Sequence, residues 1–213
     1  MNFWTFLTQN KLEIAELTFE HFWMVAISTL IAVAIGIPLG ILITRKSSLQ
    51  KPVIAIANII QTIPSLALFG FLLPTPWIGE RATRLAILAL TLYALLPMIR
   101  NTYTGIKGVD RAIIEAARGM GLTDFQLLYK VELPLAASVI LAGVRVSVVI
   151  SIGLATIAAA IGAGGLGELI FRGLSMVSNS VILAGAVPAA LMALLADVLF
   201  GWLEKRIAVP HAA

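Results

Sequence analysis

Long runs of apolar residues separated by short charged stretches dominate the chain. A bilayer core about 30 Å thick is crossed by roughly 20 apolar residues in a helix. Phe22 to Thr44 carries no charge, and neither does Pro52 to Gly79. Leu85 to Ile99 is shorter and lies between Arg84 and Arg100, whose stems reach back to the interfaces. Leu133 to Gly167 is apolar apart from Arg145, and Gly173 to Leu203 apart from Asp197. The pattern predicts an all-α polytopic membrane protein, one transmembrane domain over 1–213, with five spans near 22–44, 53–74, 83–100, 135–160 and 180–203. Before the first span, Glu13, Glu16 and Glu20 alternate with Leu12, Ile14, Leu17 and Phe19. Steps of three and four put the glutamates on one face, which predicts a helix over 11–21 lying at the interface, with a solvated lead-in as the alternative.

Composition agrees. Charged residues make up 12% of the 213 against 60% hydrophobic ones, and soluble domains carry about 25% charged residues. Mean hydropathy is +0.99. The net charge of +4 raises nucleic acid as a partner, but the cations stand between apolar segments and form no continuous patch. Their distribution orients the chain instead. With the amino terminus outside, ten Lys and Arg fall inside (Arg45, Lys46, Lys51, Arg100, Lys107, Arg111, Arg118, Lys130, Lys205, Arg206) and four outside (Lys11, Arg81, Arg84, Arg172). That is the positive-inside bias, with the carboxyl terminus cytoplasmic. Met1 to Asn10 has no basic lead of a signal peptide. There is no cysteine, hence no disulfide and no thiolate chemistry.

The loop over 101–134 is the largest cytoplasmic piece and reads as two short helices. Asp110 caps the first, from Arg111 to about Met120, and Gly121 ends it. Thr123 with Gln126 forms a capping box for the second, which Pro134 interrupts before the fourth span. Such an element suits docking on a cytoplasmic partner. Glu115-Ala116-Ala117, then Gly121, then Val131-Glu132-Leu133-Pro134 resembles the EAA loop of binding-protein-dependent ABC importer permeases, with Val131 where the family pattern has Ile. The resemblance covers nearly the whole chain. It implies that Glu115, Ala116, Ala117, Gly121, Leu133 and Pro134 form the coupling element that seats in a groove of an ATPase subunit. It further implies two ATPase subunits carrying ATP and Mg, a second permease copy or paralogue, an extracytoplasmic binding protein, and the bacterial inner membrane as the setting. Gly36-Ile37-Pro38-Leu39-Gly40 with Thr44-Arg45, Gln61 to Ala67, and Ile161 to Gly167 are similar to segments of glycine betaine, carnitine and choline permeases. Methionine permeases share the glycine-rich ends, so methionine or another small amino acid is the alternative substrate.

Other residues carry weaker chemistry. Pro64, beside Gln61, Thr62 and Ser65, breaks the second span, either lining a substrate path or kinking a packed helix. Pro38, Pro97 and Pro188 read as kinks. Gly36 and Gly40 form a GxxxG pair for close packing, within the subunit or across a permease dimer. Arg145, a cation deep in a span, requires a carboxylate such as Asp197, a hydrated path, or a snorkel to the interface. A structural or gating role suits it better than contact with a cationic substrate. Asp197 reads as interfacial. Gly162 to Gly167, with Gly164 and Gly165 at the centre, read as a flexible re-entrant turn or outer gate. No GxxxxGK[ST] or GxSxG pattern occurs, so ATP chemistry belongs to another chain. His21 and His211 stand too far apart in sequence to suggest a metal. No aromatic cluster offers a cation–π cage, so specificity for a betaine falls to the binding protein. Two rivals lack their expected features: an ion-coupled transporter its repeats, and a membrane enzyme its catalytic pair.

Overall fold

The computed structural model describes residues 3–207, and every element of it is helical. A short helix α1 (Phe3–Gln9) leads into α2 (Lys11–Arg45), which runs unbroken for 35 residues, about 52 Å at the rise of a helix. The stretch expected at the interface is therefore the first three turns of the spanning helix itself. Nothing in its sequence stops the helix between Glu13 and Phe22. Its glutamates Glu13 and Glu20 are held by groups from a distant part of the chain. Pro38 stands inside α2 without ending it.

The second apolar segment is not one straight span. Helix α3 (Ser47–Thr62) and helix α4 (Ser65–Leu72) meet at Ile63 and Pro64 with a bend of 103°. Proline disfavours the helical conformation in the residue before it. Ile63 accordingly turns extended, with ψ 127°. The third segment, α5 (Ala82–Lys107), contains Pro97 and runs seven residues beyond the expected end.

The loop element consists of α6 (Arg111–Gly119) and α7 (Asp124–Leu127). Pro134 does not interrupt the helix that leads into the fourth span. A π-helical turn over Leu128–Glu132 widens the coil, and Pro134 falls in the first turn of α8 (Leu133–Ala158), where its missing N–H is tolerated. The result is one helical rod over Asp124–Ile161, 38 residues long. A 3₁₀ turn (Ala159–Ile161), a glycine loop, α9 (Gly167–Ser175) and α10 (Asn179–Ile207) complete the chain. Among the described residues, four helices are long and apolar enough to cross a membrane, and the bent α3–α4 pair makes a fifth span if counted as one. His211 lies outside the described residues.

Small residues set the packing. Gly36 and Gly40 face α5, not a second copy. A Cβ on Gly36 would stand 2.6 Å from Cβ of Met98, and one on Gly40 2.5 Å from Cβ of Thr102. Across the other side of α5, a Cβ on Gly143 of α8 would stand 2.7 Å from Cβ of Asn101. Helix α5 is thereby sandwiched between α2 and α8, and its buried residues Leu85, Ala86, Ala89 and Leu90 form the main core with Met24, Phe69, Ile152 and Ala155. Helix α10 packs on α8 and α9.

Candidate coupling element and translocation path

The loop is built by local rules. Oδ1 of Asp110 accepts from the Ala112 amide at 2.9 Å, capping α6. Gly121 takes a left-handed φ of +82°, while its amide donates to Arg118 O and the Leu122 amide to Ala117 O at 3.2 Å. This is the glycine-terminated helix end in which carbonyls of the last turn are satisfied. Thr123 and Gln126 form a reciprocal capping box, with bonds of 2.9 and 3.3 Å. Ala117 of α6 and Leu127 of α7 are buried. Glu115 and Ala116 are exposed, as are Ala112, Ile113 and Met120. The element thus presents small and apolar side chains with one carboxylate at their edge. Leu133 is half-buried and Pro134 exposed, both back on the rod.

One residue of this segment has a partner that sequence reading missed. Glu132, in the π turn, keeps only 4% of its side chain exposed and pairs with Arg45 at the end of α2, 87 positions away. Nη1 of Arg45 lies 3.0 Å from Oε1, and the second nitrogen bonds Oε2, giving a bidentate pair. Arg45 and Lys107 close the same end of the molecule as α6, and they line a cavity of about 340 Å³ with Thr44, Arg111, Arg118 and Glu132. The ends of α2 and α5 and the start of the α7–α8 rod therefore share one side.

The opposite side gathers the start of α2 and the glycine loop. Gly162, Gly164 and Gly165 all have positive φ, which explains the glycine run. The loop is not free, contrary to the expectation of a flexible turn. Gly164 and Gly165 are buried, Oε2 of Glu20 accepts from the Gly165 amide at 3.0 Å, and His21 and Met24 pack beneath. His21 is itself fully buried, with Nε2 3.0 Å from Ile152 O. Glu13 pairs with Arg172 of α9 at 2.6 Å. The acidic face of α2 thus serves as the anchor of this loop.

At the Pro64 break, Tyr93 of α5 donates its hydroxyl to Ile63 O, and Gln61 Nε2 donates to Tyr93 O at 3.3 Å. Thr62 bonds back to Ile59 O at 2.7 Å, and Ser65 begins α4 half-buried. A tyrosine hydroxyl in an otherwise apolar stretch was the available signal for this contact. Arg145 pairs with Asp197 through two bonds of 2.6 and 2.7 Å and reaches Glu204 at 3.5 Å. The guanidinium lies against Gly201, where a side chain would meet it. Asp197 is thus a partner in a three-residue ion cluster between α8 and α10. Among the described residues, no hydrogen bond or ion pair joins the Pro64 break, the glycine loop and the Arg145 cluster, which stand as three separate stations.

An all-helical bundle of four to five apolar spans, with a capped helix–turn–helix element at one end, defines a multi-pass membrane permease. The family model for the inner membrane component of binding-protein-dependent transport systems matches residues 36–209, and the chain belongs to that family. It is 47% identical over 204 residues, covering 95% of this chain and 88% of the relative, to the glycine betaine/carnitine/choline transport system permease protein OpuCD of Bacillus subtilis. It is 50% identical over 189 residues, 88% and 83% of the two chains, to the carnitine transport permease protein OpuCD of Listeria monocytogenes. To the choline transport system permease protein OpuBD of Bacillus subtilis it is 46% identical over 95% of this chain and 89% of the relative. Among solved structures, an inward-facing MetNI methionine ABC transporter chain superposes with a TM-score of 0.83 at 25% identity, covering 91% of this chain and 95% of that one.

Proposed function

We propose that the chain is the membrane-spanning subunit of an ATP-driven importer for glycine betaine, choline, carnitine or a related quaternary-ammonium osmoprotectant. The observation that carries the importer reading is the loop element: a helix ended by Gly121 and locked by the Thr123–Gln126 box, with Glu115 and Ala116 turned outward. A short helix with small exposed side chains enters a protein groove closely, and its edge carboxylate is available for a cation there. In this reading two ATPase subunits carry ATP and Mg and receive that element. A second permease, identical or a paralogue, completes the pore. A binding protein delivers substrate at the side of the glycine loop. The amino terminus is outside in this reading, which the cation distribution supports.

The substrate goes with the relatives at 46–50% identity, whose names give betaine, carnitine and choline. The methionine transporter shares the fold at half that identity. Gln61, Thr62, Pro64 and Ser65 line the path at the helix break, Gly164 and Gly165 hold its outer side, and the Arg145 cluster sits toward the coupling side. The paired guanidinium does not repel a quaternary ammonium as a free one does, since two carboxylates neutralise it.

The test is ATPase activity of the complex reconstituted in lipid with its binding protein. Glycine betaine or choline stimulates it and methionine does not. Glu115→Lys abolishes the stimulation and weakens co-purification with the ATPase. Stimulation by methionine alone removes the osmoprotectant assignment, and full coupling in Glu115→Lys removes the assignment of the loop.

A further inference from the structure

The cavity beside the coupling element has no part in the proposed import function. Its wall carries Arg45 from the end of α2, Lys107 from the end of α5, and Arg111 and Arg118 from α6, against the single carboxylate of Glu132. Four cations facing one anion leave a formal charge of +3 around about 340 Å³. Arg45 is committed to Glu132, and Arg118 stands 3.6 Å from exposed Asp124. Lys107 and Arg111 have no ion-pair partner among the described residues. Cations gathered around one space repel each other, and the arrangement is best relieved by a bound anion.

The position selects the anion. Lys107 and Arg45 close spanning helices at the end that the cation distribution puts on the cytoplasmic side. Residues 111, 114 and 118 recur at helical spacing and turn one side of α6 to the cavity. The exposed residues Ala112, Ile113, Ala116 and Met120 occupy a different side, which leaves the cavity open when a partner covers them. Basic pockets between spanning helices on the cytoplasmic side hold phosphate-bearing headgroups. We propose that this cavity binds the phosphate of an anionic phospholipid, with Lys107 and Arg111 as its free cations and Arg45 and Arg118 as the surrounding field. The proposal rests on the inside placement of this end but on no assumption about the substrate.

The test compares the wild-type permease–ATPase complex with the Lys107→Gln/Arg111→Gln double variant, which leaves the Arg45–Glu132 pair intact. Retention of phosphatidylglycerol is read by native mass spectrometry after delipidation and titration, with phosphatidylcholine and inorganic phosphate as separate arms. Each cation near the surface contributes about fivefold, so the double variant binds phosphatidylglycerol about thirtyfold more weakly. Phosphatidylcholine shows no difference between the two proteins. Equal phosphatidylglycerol affinity in both overturns the proposal. So does saturable binding of inorganic phosphate that displaces the lipid completely, which assigns the site to a soluble ion. Lipid binding to the isolated permease that vanishes in the complex also overturns it, since the cations would then belong to the ATPase contact. Lipid retention is read without transport, so its outcome is separate from that of the importer assignment.

Discussion

Removing either partner of the Arg45–Glu132 pair should not cost the same. Glu132 keeps 4% of its side chain exposed and Arg45 keeps 36%. Arg45→Met therefore leaves a carboxylate with almost no access to water and only the more distant cations of its cavity, at a cost toward the low end of about 3–5 kcal/mol for breaking a buried pair from one side. Glu132→Gln leaves a guanidinium that is already one-third exposed and can move its charge outward, while the new amide oxygen still accepts a bond. Its cost is about 1 kcal/mol, that of weakening one hydrogen-bonded contact. In the Glu132→Gln background, Arg45→Met has no charge left to strand and adds little. The double variant thus lies close to Glu132→Gln and well above Arg45→Met. The strong coupling in the cycle is the signature of a direct contact. Unfolding of such proteins is often irreversible, so the assay is the half-life of monodisperse permease in detergent at a fixed elevated temperature, followed by size-exclusion fluorescence. The expected order is wild type, then Glu132→Gln with the double variant, then Arg45→Met last. Equal losses in the two single variants, or losses that simply sum in the double, would refute the account of a buried anion held by a one-third exposed cation.

Gly40→Leu places its Cβ 2.5 Å from Cβ of Thr102 and 3.1 Å from Ile99 O, so α2 cannot stay on α5. Little folded permease should survive purification, whereas Gly153→Ala, with nothing within 4 Å, should match wild type. Gly121→Ala forces a side chain to φ +82° and costs about 1 kcal/mol at the loop alone. Amide exchange should then rise across α6 and α7 while the spans stay protected. Glu20→Gln keeps an oxygen for the Gly165 amide but loses its charge, so exchange at Gly165 should rise slightly, and far more in Glu20→Ala.

The parts legible in the sequence are those governed by neighbours. Asp110, Gly121 and the Thr123–Gln126 box obey capping rules that act within four residues, and the structure has each of them. Apolar runs pointed to the long apolar helices because hydrophobic length is itself local, though not to where those helices begin and end. For Arg145, a lone charge in its apolar run, pairing with Asp197 was one of three readings beside a hydrated path and a snorkel, and the structure has the pair. The misses are non-local. Nothing near Glu13 or Glu20 says that Arg172 and Gly165 will meet them, so a helix that carries glutamates looked like a surface piece. Pro134 looked like a break because the rule that forbids it assumes a regular α-helix. The π turn before it changes the geometry that the rule depends on. At Pro64 the sequence offered a break that either lines a path or kinks a packed helix, and the chain turns through 103° there, with the Tyr93 hydroxyl donating to the opened carbonyl of Ile63.

These non-local contacts share a helix. The start of α2 holds the glycine loop through Glu20, its next residue His21 reaches Ile152, and its end holds the π turn through Arg45. All three partners lie on the rod over 124–161 or on the loop that directly succeeds it. Helix α2 and the rod are therefore tied at the Arg45 end and again at the neighbouring residues Glu20 and His21, with α5 wedged between them by Gly36, Gly40 and Gly143. The α3–α4 pair packs into the core through Leu68 and Phe69, but its break is held by single hydrogen bonds to Tyr93 and not by charge pairs. In the import function proposed above, a displacement at the loop end is expected to carry α2 and the rod together, with the Pro64 break, held by two neutral hydrogen bonds, as the place where relative movement is taken up.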